Sequence, residues 1–335
     1  MVSGACSRTR VGLASNASHG VSVRRKNVSS SPSLTAVILS FNEEVHIGRC
    51  LDRIAPLVER IIVVDSFSTD RTVEIARDKG AEVHQHAFTN QAAQLQWALD
   101  TIPIASAWVI RVDCDEYLEP ALIEEIRTKL PALPDEVTAL DVKLKVLFKG
   151  KFIRWGGYYR TWLTRLWRPD AGRMEQRWMD ERLLITRGRA ERLTGGDLVD
   201  ASLKDIGWWT DKHNGYATRQ MIDFIAREHG LIDEEDDQLT ASAKKRRGLR
   251  KLYGGAPLYL RAVLYFIRRY FLLLGFLDGR LGFVWHFLHG FWFFVLMDAK
   301  IDEARTWIAA NSVEEFPRYL ADRYGIAETG IAWRR

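Results

Sequence analysis

The sequence predicts an α/β protein with a mainly parallel, partly mixed central sheet, followed by a helical C-terminal region, and three observations predict it. Between residues 35 and 112, short β-branched apolar runs alternate with amphipathic segments across short polar loops, the pattern of a parallel sheet covered on both faces. From Thr138 to Phe148 the period changes to two, which adds a mixed part to that sheet. Beyond residue 255 the chain becomes aromatic and apolar with few acidic residues until Asp278.

Taken in order, Thr35 to Ser40 reads as the first strand, and Asn42 is expected to cap a helix whose first turn carries Glu43 and Glu44. Ile47, Cys50, Leu51 and Ile54 recur at helical spacing, which buries one face. Ile61 to Asp65 repeats the strand, and Asp70 is expected to cap a helix that stops at Gly80. Ala81 to His84 gives a third strand, Asn90 caps a helix to about Asp100, and Trp108 to Val112 gives a fourth strand. Lys149-Gly150-Lys151 suits a hairpin turn, and Trp162 to Arg168 reads as a strand ended by Pro169-Asp170-Ala171-Gly172. A helix from about Lys204 to Glu228 follows, its continuity weakened by Gly207 and Gly215. The acidic run Asp233 to Asp237 sits in the best linker candidate, residues 229–243.

The domain reading is therefore a disordered tail at 1–33, a catalytic domain at 34–228, an acidic then basic linker at 229–255, and a helical region at 256–335. The tail is rich in Ser, Gly and Arg and lacks the continuous apolar core of a secretory signal. The 335 residues carry a formal net charge of +5, concentrated at Lys244, Lys245, Arg246, Arg247, Arg250 and Lys251. Such a cluster points to phosphate or an anionic lipid surface, not to nucleic acid. Cys6, Cys50 and Cys114 have no metal-type or disulfide-type spacing, which favours a reducing compartment.

Function is written at the strand ends. In open parallel sheets ligands sit beyond the carboxyl ends of the strands, where strand order reverses. Asn42 with Glu43, Asp65, and Asp113 with Asp115 all fall there. The run from Trp108 ends abruptly in Asp113-Cys114-Asp115-Glu116. Three carboxylates at the end of a buried strand repel one another, and a hard divalent cation, Mg2+ or Mn2+, is the simplest answer. The alternative is that this segment caps the helix starting near Pro120 and faces water. No Gly-x-Gly-x-x-Gly or Gly-x-x-x-x-Gly-Lys loop follows any of these strands, which argues against dinucleotide and P-loop sites.

Ala36 to Glu44, Val63 to Asp70 and Asp113 to Glu116 together resemble the successive signatures of a family 2 glycosyltransferase of the bacterial lipopolysaccharide-core and exopolysaccharide type. Trp155 to Tyr159, Met179 to Glu181, Lys212 to Ala217 and Gly275 to Gly279 are similar to later stretches of that subgroup. The resemblance implies a nucleotide-diphospho-sugar transferase (GT-A-like) fold, a nucleotide-sugar donor and inversion at the anomeric carbon. By matching position, Asp65 would hold the base or ribose, Asp113 the ribose or metal, and Asp115 the metal. Ser40, Asn42, Glu43 and Gln94 match further donor-contact positions. Asp180 and Glu181 are the candidates for the general base that takes the acceptor proton, the alternative being an ordinary exposed pair beside Arg177 and Arg182. Cys114 stands where a small Ala is common, a change of little expected consequence.

Lys212 and His213 are expected on a helix face with Trp209, Tyr216 and Gln220, closing over donor phosphates or acceptor. Arg160 and Arg165, near Trp162, could grip an acceptor phosphate, since a guanidinium reads phosphate bidentately. Farther on, Arg261, Arg268 and Arg269 are expected along one side of a helix from Pro257 to Leu277. The uncharged run Leu281 to Met297 counts 17 residues, short of the roughly 20 that cross a bilayer. Two helices lying in the cytoplasmic leaflet of the inner membrane, joined at Leu277 to Arg280, are the preferred reading. A true span is the alternative, followed by a buried helix pair. The expected function is metal-dependent sugar transfer to a glycan or lipid-linked oligosaccharide acceptor in cell-surface polysaccharide or lipopolysaccharide biosynthesis. Transfer onto a polyprenyl phosphate and a catalytically inactive membrane scaffold are the alternatives.

Overall fold

The computed structural model describes residues 33–232 and 238–326. The tail expected to be disordered up to residue 32, Cys6, and the acidic run Asp233 to Asp237 lie outside the described residues.

The first half alternates as expected: β1 (Leu34–Ser40), α1 (Glu44–Ile54), β2 (Arg60–Asp65), α2 (Thr72–Asp78), β3 (Glu82–Gln85), α3 (Gln91–Thr101) and β4 (Trp108–Arg111). There follow β5 (Glu116–Leu118), α4 (Pro120–Lys129), β6 (Val137–Phe148), β7 (Lys151–Phe152), β8 (Trp162–Trp167), β9 (Gly172–Met174), β10 (Leu183–Ile185) and β11 (Arg189–Asp200). The main sheet runs β3-β2-β1-β4-β8-β6-β11-β5, with β7 on β6, and β9 pairs with β10 separately. β3, β2, β1 and β4 are parallel. β8 runs antiparallel between β4 and β6, which makes the sheet mixed where the two-residue period begins.

Apolar side chains of both sheet faces are buried, so two cores form. Ile47, Leu51, Ile54, Leu122 and Ile126 of α1 and α4 pack on one face, and Leu95 and Ala98 of α3 on the other. β11 escaped the sequence reading because Gly195 and Gly196 interrupt it. Its register with β6 shifts between Arg192 and Asp197, and a Cβ at Gly196 would lie 2.6 Å from the Leu122 backbone nitrogen.

α5 (Ile206–Glu228) is one continuous helix despite Gly207 and Gly215, capped by Asp205, whose side chain accepts from the Trp208 amide. After α6 (Ala241–Gly254) come α7 (Leu260–Ile267), α8 (Gly279–Phe287), α9 (Phe293–Ala310) and α10 (Phe316–Tyr324). Ala217, Met221, Ile222 and Ile225 of α5 pack with Met297, Ile301 and Ala304 of α9 and Phe316 and Leu320 of α10. α8 starts after a 3-10 turn at Gly275–Asp278, at the expected join. The segment Gly275–Ala310 is 36 residues long with a window of mean hydropathy 1.3, enough to cross a membrane by length and composition, and 39% of that window is buried in the protein.

The arginines of this region differ from expectation. Arg261 turns inward onto Asp298, and Arg269 is buried with its guanidinium 3.2 Å from the Tyr158 ring centroid. Arg247 of the basic cluster is likewise buried on Glu175. A charge enclosed by protein needs a partner: Asp298 ties α7 to α9, while Tyr158 and Glu175 tie Arg269 and Arg247 to segments that flank the strands. What faces outward is apolar: Leu264, Phe271, Leu272, Leu277 and Phe283 are among twelve exposed large hydrophobics between Tyr259 and Phe287.

Candidate functional site

β1 lies between β2 and β4, the strands on either side of the point where chain order reverses, so the crevice opens beyond their carboxyl ends. Ser40 stands opposite Asp65 in the register. Asp65 is fully enclosed. One of its oxygens accepts from Ser40 Oγ (2.9 Å) and Ser68 Oγ (2.5 Å), the other from the Ser68 amide (2.8 Å) and Gln85 Nε2 (3.4 Å). The carboxylate thereby shapes the Ser66 to Thr69 loop.

Asn42 does not cap α1; that position is taken by Glu43. Asn42 adopts φ 52°, and its Oδ1 accepts from the Thr69 amide at 2.8 Å, which ties the β1 and β2 loops together. Glu43 bridges His46 Nδ1 (2.5 Å) and Lys204 Nζ (3.1 Å). Gln94, buried on α3, donates to Ser66 Oγ (3.1 Å) and the His86 carbonyl (3.0 Å) and pairs with His86 Nδ1 (2.7 Å). Ser40, Asn42, Glu43, Asp65 and Gln94 thus form a hydrogen-bonded frame along one sheet edge.

The acidic segment joins the same edge. Cys114 Sγ donates to the Leu39 carbonyl at 3.3 Å, so the residue between the two acids anchors their loop to β1. Arg111 Nε meets Asp113 Oδ1 and Arg165 Nη2 meets Asp113 Oδ2, both at 3.1 Å. Arg165 Nη2 also reaches Glu116 Oε1 at 2.5 Å. Resident guanidiniums therefore supply part of the neutralisation for which the sequence pointed to a metal. Burial would raise the Asp113 pKa, but Arg111 and Arg165 overcome it and hold the group well below the usual carboxylate range. Burial, with the Asp113 charge added, pushes Glu116 up to about 8 against the pull of Arg165. Arg165 is thus consumed by structural acids and does not present itself to an acceptor phosphate.

Asp115 is different. Its backbone carbonyl is fixed by the Ala201 amide (3.0 Å) and Arg49 Nη2 (3.0 Å), while Oδ2 faces Lys212 Nζ at 3.4 Å. Asp200, at the end of β11, lines the same cavity, and burial followed by the Asp115 charge pushes it up to about 7. Burial works against the Lys212 ammonium, yet Tyr216, Asp115 and Asp200 raise its pKa. Among the described residues no three His, Cys, Asp or Glu side chains form a metal cage. Asp115 beside Asp200 fits instead a divalent ion that shares its coordination with substrate phosphates.

Lys212 and His213 part company. Lys212 lies toward the acids, 4.7 Å from the Trp208 ring centroid. His213 stacks on Trp209 with centroids 3.5 Å apart, bonds the Trp209 carbonyl at 2.8 Å, and is pushed down to about 4 by burial. It packs with His289 and Phe293 in an aromatic cluster on the wall of the large cavity.

A cavity of about 1090 Å3 extends from Asp113, Asp115 and Asp200 to Tyr158, Trp285 and Phe293 of the helical region. Asp180 and Glu181 lie on its wall, with Arg160 exposed at its rim. Asp180 holds φ 59° and accepts from Gln220 Nε2; Glu181 meets Arg111 Nη1 at 3.3 Å. Sequence reasoning missed Arg111, Asp200 and Lys204. Asp200 carried a usable signal, a carboxylate closing an apolar Leu-Val pair, as in β2.

A reversing, partly mixed parallel sheet with carboxylates along its carboxyl edge and a deep cavity beside them is the GT-A-like fold expected from the sequence. Residues 35–175 match the model of glycosyl transferase family 2. The chain is similar to an uncharacterized glycosyltransferase of Rickettsia typhi, 30% identical over 118 residues, 35% of this chain and 40% of that one. The chain thus spans about two-fifths of the length of the Rickettsia relatives it matches. The lipopolysaccharide core biosynthesis glycosyltransferase LpsC of Rhizobium meliloti is 26% identical over 267 residues, 76% of this chain and 89% of that protein. Among solved structures, a Mycobacterium tuberculosis glucosyl-3-phosphoglycerate synthase in complex with Mn2+, UDP and glucosyl-3-phosphoglycerate is 23% identical. It covers 36% of this chain and 46% of that one, with a TM-score of 0.27.

Proposed function

We propose that the protein transfers a sugar, with inversion, from a nucleotide-sugar donor to a hydroxyl of a lipid-linked glycan acceptor in lipopolysaccharide-core assembly. The observation that carries this reading is the convergence of Asp115, Asp200 and Lys212 on one cavity beside the frame held by Asp65. The similarity to LpsC over most of both chains supports the acceptor class.

Asp115, with Asp200 beside it, would hold Mg2+ or Mn2+, which when bound supplies positive charge against the diphosphate oxygens. Lys212 adds its ammonium on the same side. As the acceptor oxygen bonds to the anomeric carbon, the sugar–phosphate bond breaks and the nucleoside diphosphate leaves with the electron pair. The acceptor proton goes to Asp180. Asp180 accepts from the neutral Gln220 amide, whereas a guanidinium occupies Glu181, competing for the lone pairs a base needs.

The catalytic unit is taken as residues 34–228, linked through 229–255 to a membrane-associating region at 256–335. That region rests its apolar face, Leu264 to Phe287, in the cytoplasmic leaflet of the inner membrane.

Full-length protein with membrane extract as acceptor should release nucleoside diphosphate from a nucleotide sugar. D180N should lower kcat at least 100-fold with little change in donor KM, an effect in the range of lost general-base catalysis. E181Q should lose less. Equal activity of D180N and wild type would instead favour an acceptor already anionic, such as a polyprenyl phosphate, which needs no base.

A further inference from the structure

We propose that Arg182 is the anchor of an anion subsite for the acceptor, one that takes a phosphate or carboxylate group carried by the glycan beside the hydroxyl being glycosylated. The inference rests on the transferase reading above and adds the chemistry of the acceptor to it.

Arg182 is 9% exposed. Its Nη1 donates to the Ala243 carbonyl at 3.0 Å, and its Nε is buried without a partner. The other buried arginines on these cavity walls have theirs: Arg177 on Asp223, Arg247 on Glu175, Arg165 on Asp113 and Glu116, Arg261 on Asp298. Arg269 lies against the Tyr158 ring instead. Arg182 makes no ion pair with any described carboxylate and stacks on no ring. Glu175 and Glu181 act on it only at longer range, and an enclosed guanidinium with no carboxylate in direct contact is a charge that a bound anion would neutralise. Burial pushes Arg182 down to about 10, with the Arg247 charge adding to it.

The location gives the ligand its place. Arg182 stands where the large cavity meets a smaller hollow of about 190 Å3, and both also touch Asp180 and Glu181. An anion on Arg182 is therefore held beside the carboxylate assigned to the acceptor proton. The donor diphosphate is assigned to Asp115 and Lys212, on other elements. Arg192, 4.7 Å from the Trp162 ring centroid and bonded to Ser242 Oγ at 3.1 Å, and the exposed Lys245 line the same cavity. A cationic wall with an indole beside it suits a charged sugar, since guanidinium forks bind oxyanions bidentately and aromatic faces take sugar rings.

The test is calorimetric titration of the full chain in detergent with inorganic phosphate and, separately, with glucuronate, in wild type, R182M, R182K and K212M. At least one anion should bind wild type, tenfold or more weakly in R182M, with partial recovery in R182K and less than twofold change in K212M. Preference for phosphate assigns a phosphorylated glycan, preference for glucuronate a uronic acid. If R182M does not fold, R182K carries the test with a threefold or greater loss. No binding of either anion to wild type, unchanged binding in the Arg182 variants, or loss confined to K212M overturns the proposal. Nucleoside diphosphate release is read separately: Arg182-dependent anion binding in a chain that cleaves no nucleotide sugar would sink the transferase reading and leave the anion site standing.

Discussion

Asp113 and Asp115 stand two positions apart and have opposite surroundings. Asp113 is gripped on both oxygens by Arg111 and Arg165, whereas Asp115 meets a single lysine at the cavity wall. His213 offers a check on how the interior is assigned. Its pKa falls from 6.5 to about 4 on burial, so the unfolded chain takes up a proton that the folded chain refuses. The stability from a neutral His213 is present above about pH 6.5 and is lost as pH falls toward 4. Between pH 7 and 5 the melting temperature of H213F should therefore drop less than that of wild type; equal drops would show that His213 titrates freely. Asp65, Asp113 and Asp115 were legible in the sequence because each closes an apolar run, and that pattern survives without knowledge of the fold. Arg111 and Arg165 were not legible as counter-ions, because pairing β4 with β8 is what brings their guanidiniums to one carboxylate. The separate surroundings of Lys212 and His213 were not legible for a related reason: the two are adjacent along α5, and only packing decides that Lys212 lies toward the acids and His213 toward the aromatics.

The β1, β2 and β4 elements followed from hydrophobic runs and capping residues, and Asn90 does cap α3 through the Ala93 amide at 2.8 Å. β11 did not follow, since two adjacent glycines read as a loop. Here they let the strand pass against the start of α4. G196A should destabilise the fold by about 1–3 kcal/mol, the usual cost of forcing an atom into a packed site, measured by urea unfolding; an unchanged midpoint would show that α4 yields. A second junction couples the sheet domain to the helices. Asp278 accepts from the Arg154 and Trp155 amides at 3.1 and 3.0 Å, and Gly156 leaves no room for a Cβ against the His286 ring. D278A should cost about 1–3 kcal/mol through two unsatisfied amides. It should also raise protease cleavage around residues 154–160, and wild-type resistance there would mean the contact is dispensable.

At the scale of the whole molecule, α5 ends the sheet domain and also packs on α9 and α10. Removing residues 244–300 to test membrane association would strip that core, so substitutions on the outward face are the cleaner test. Phe271 and Leu272 are 53% and 71% exposed, and F271D/L272D should lose cosedimentation with anionic vesicles while retaining its fold by circular dichroism. Undiminished vesicle binding would move the membrane contact elsewhere. The apolar composition of this region was plain from the sequence, but the inward turn of Arg261 and Arg269 was not, because their partners Asp298 and Tyr158 are remote along the chain. The central claim concerns the acidic edge that all these elements converge to build. Its most direct test is calorimetric titration of the full-length chain with a panel of nucleoside diphosphates, with Mn2+ or with chelator, in wild type and D115N. One nucleotide should bind wild type only when Mn2+ is present, and D115N should bind it at least 100-fold more weakly. Nucleotide binding of equal strength in chelator, or in D115N, would contradict the account.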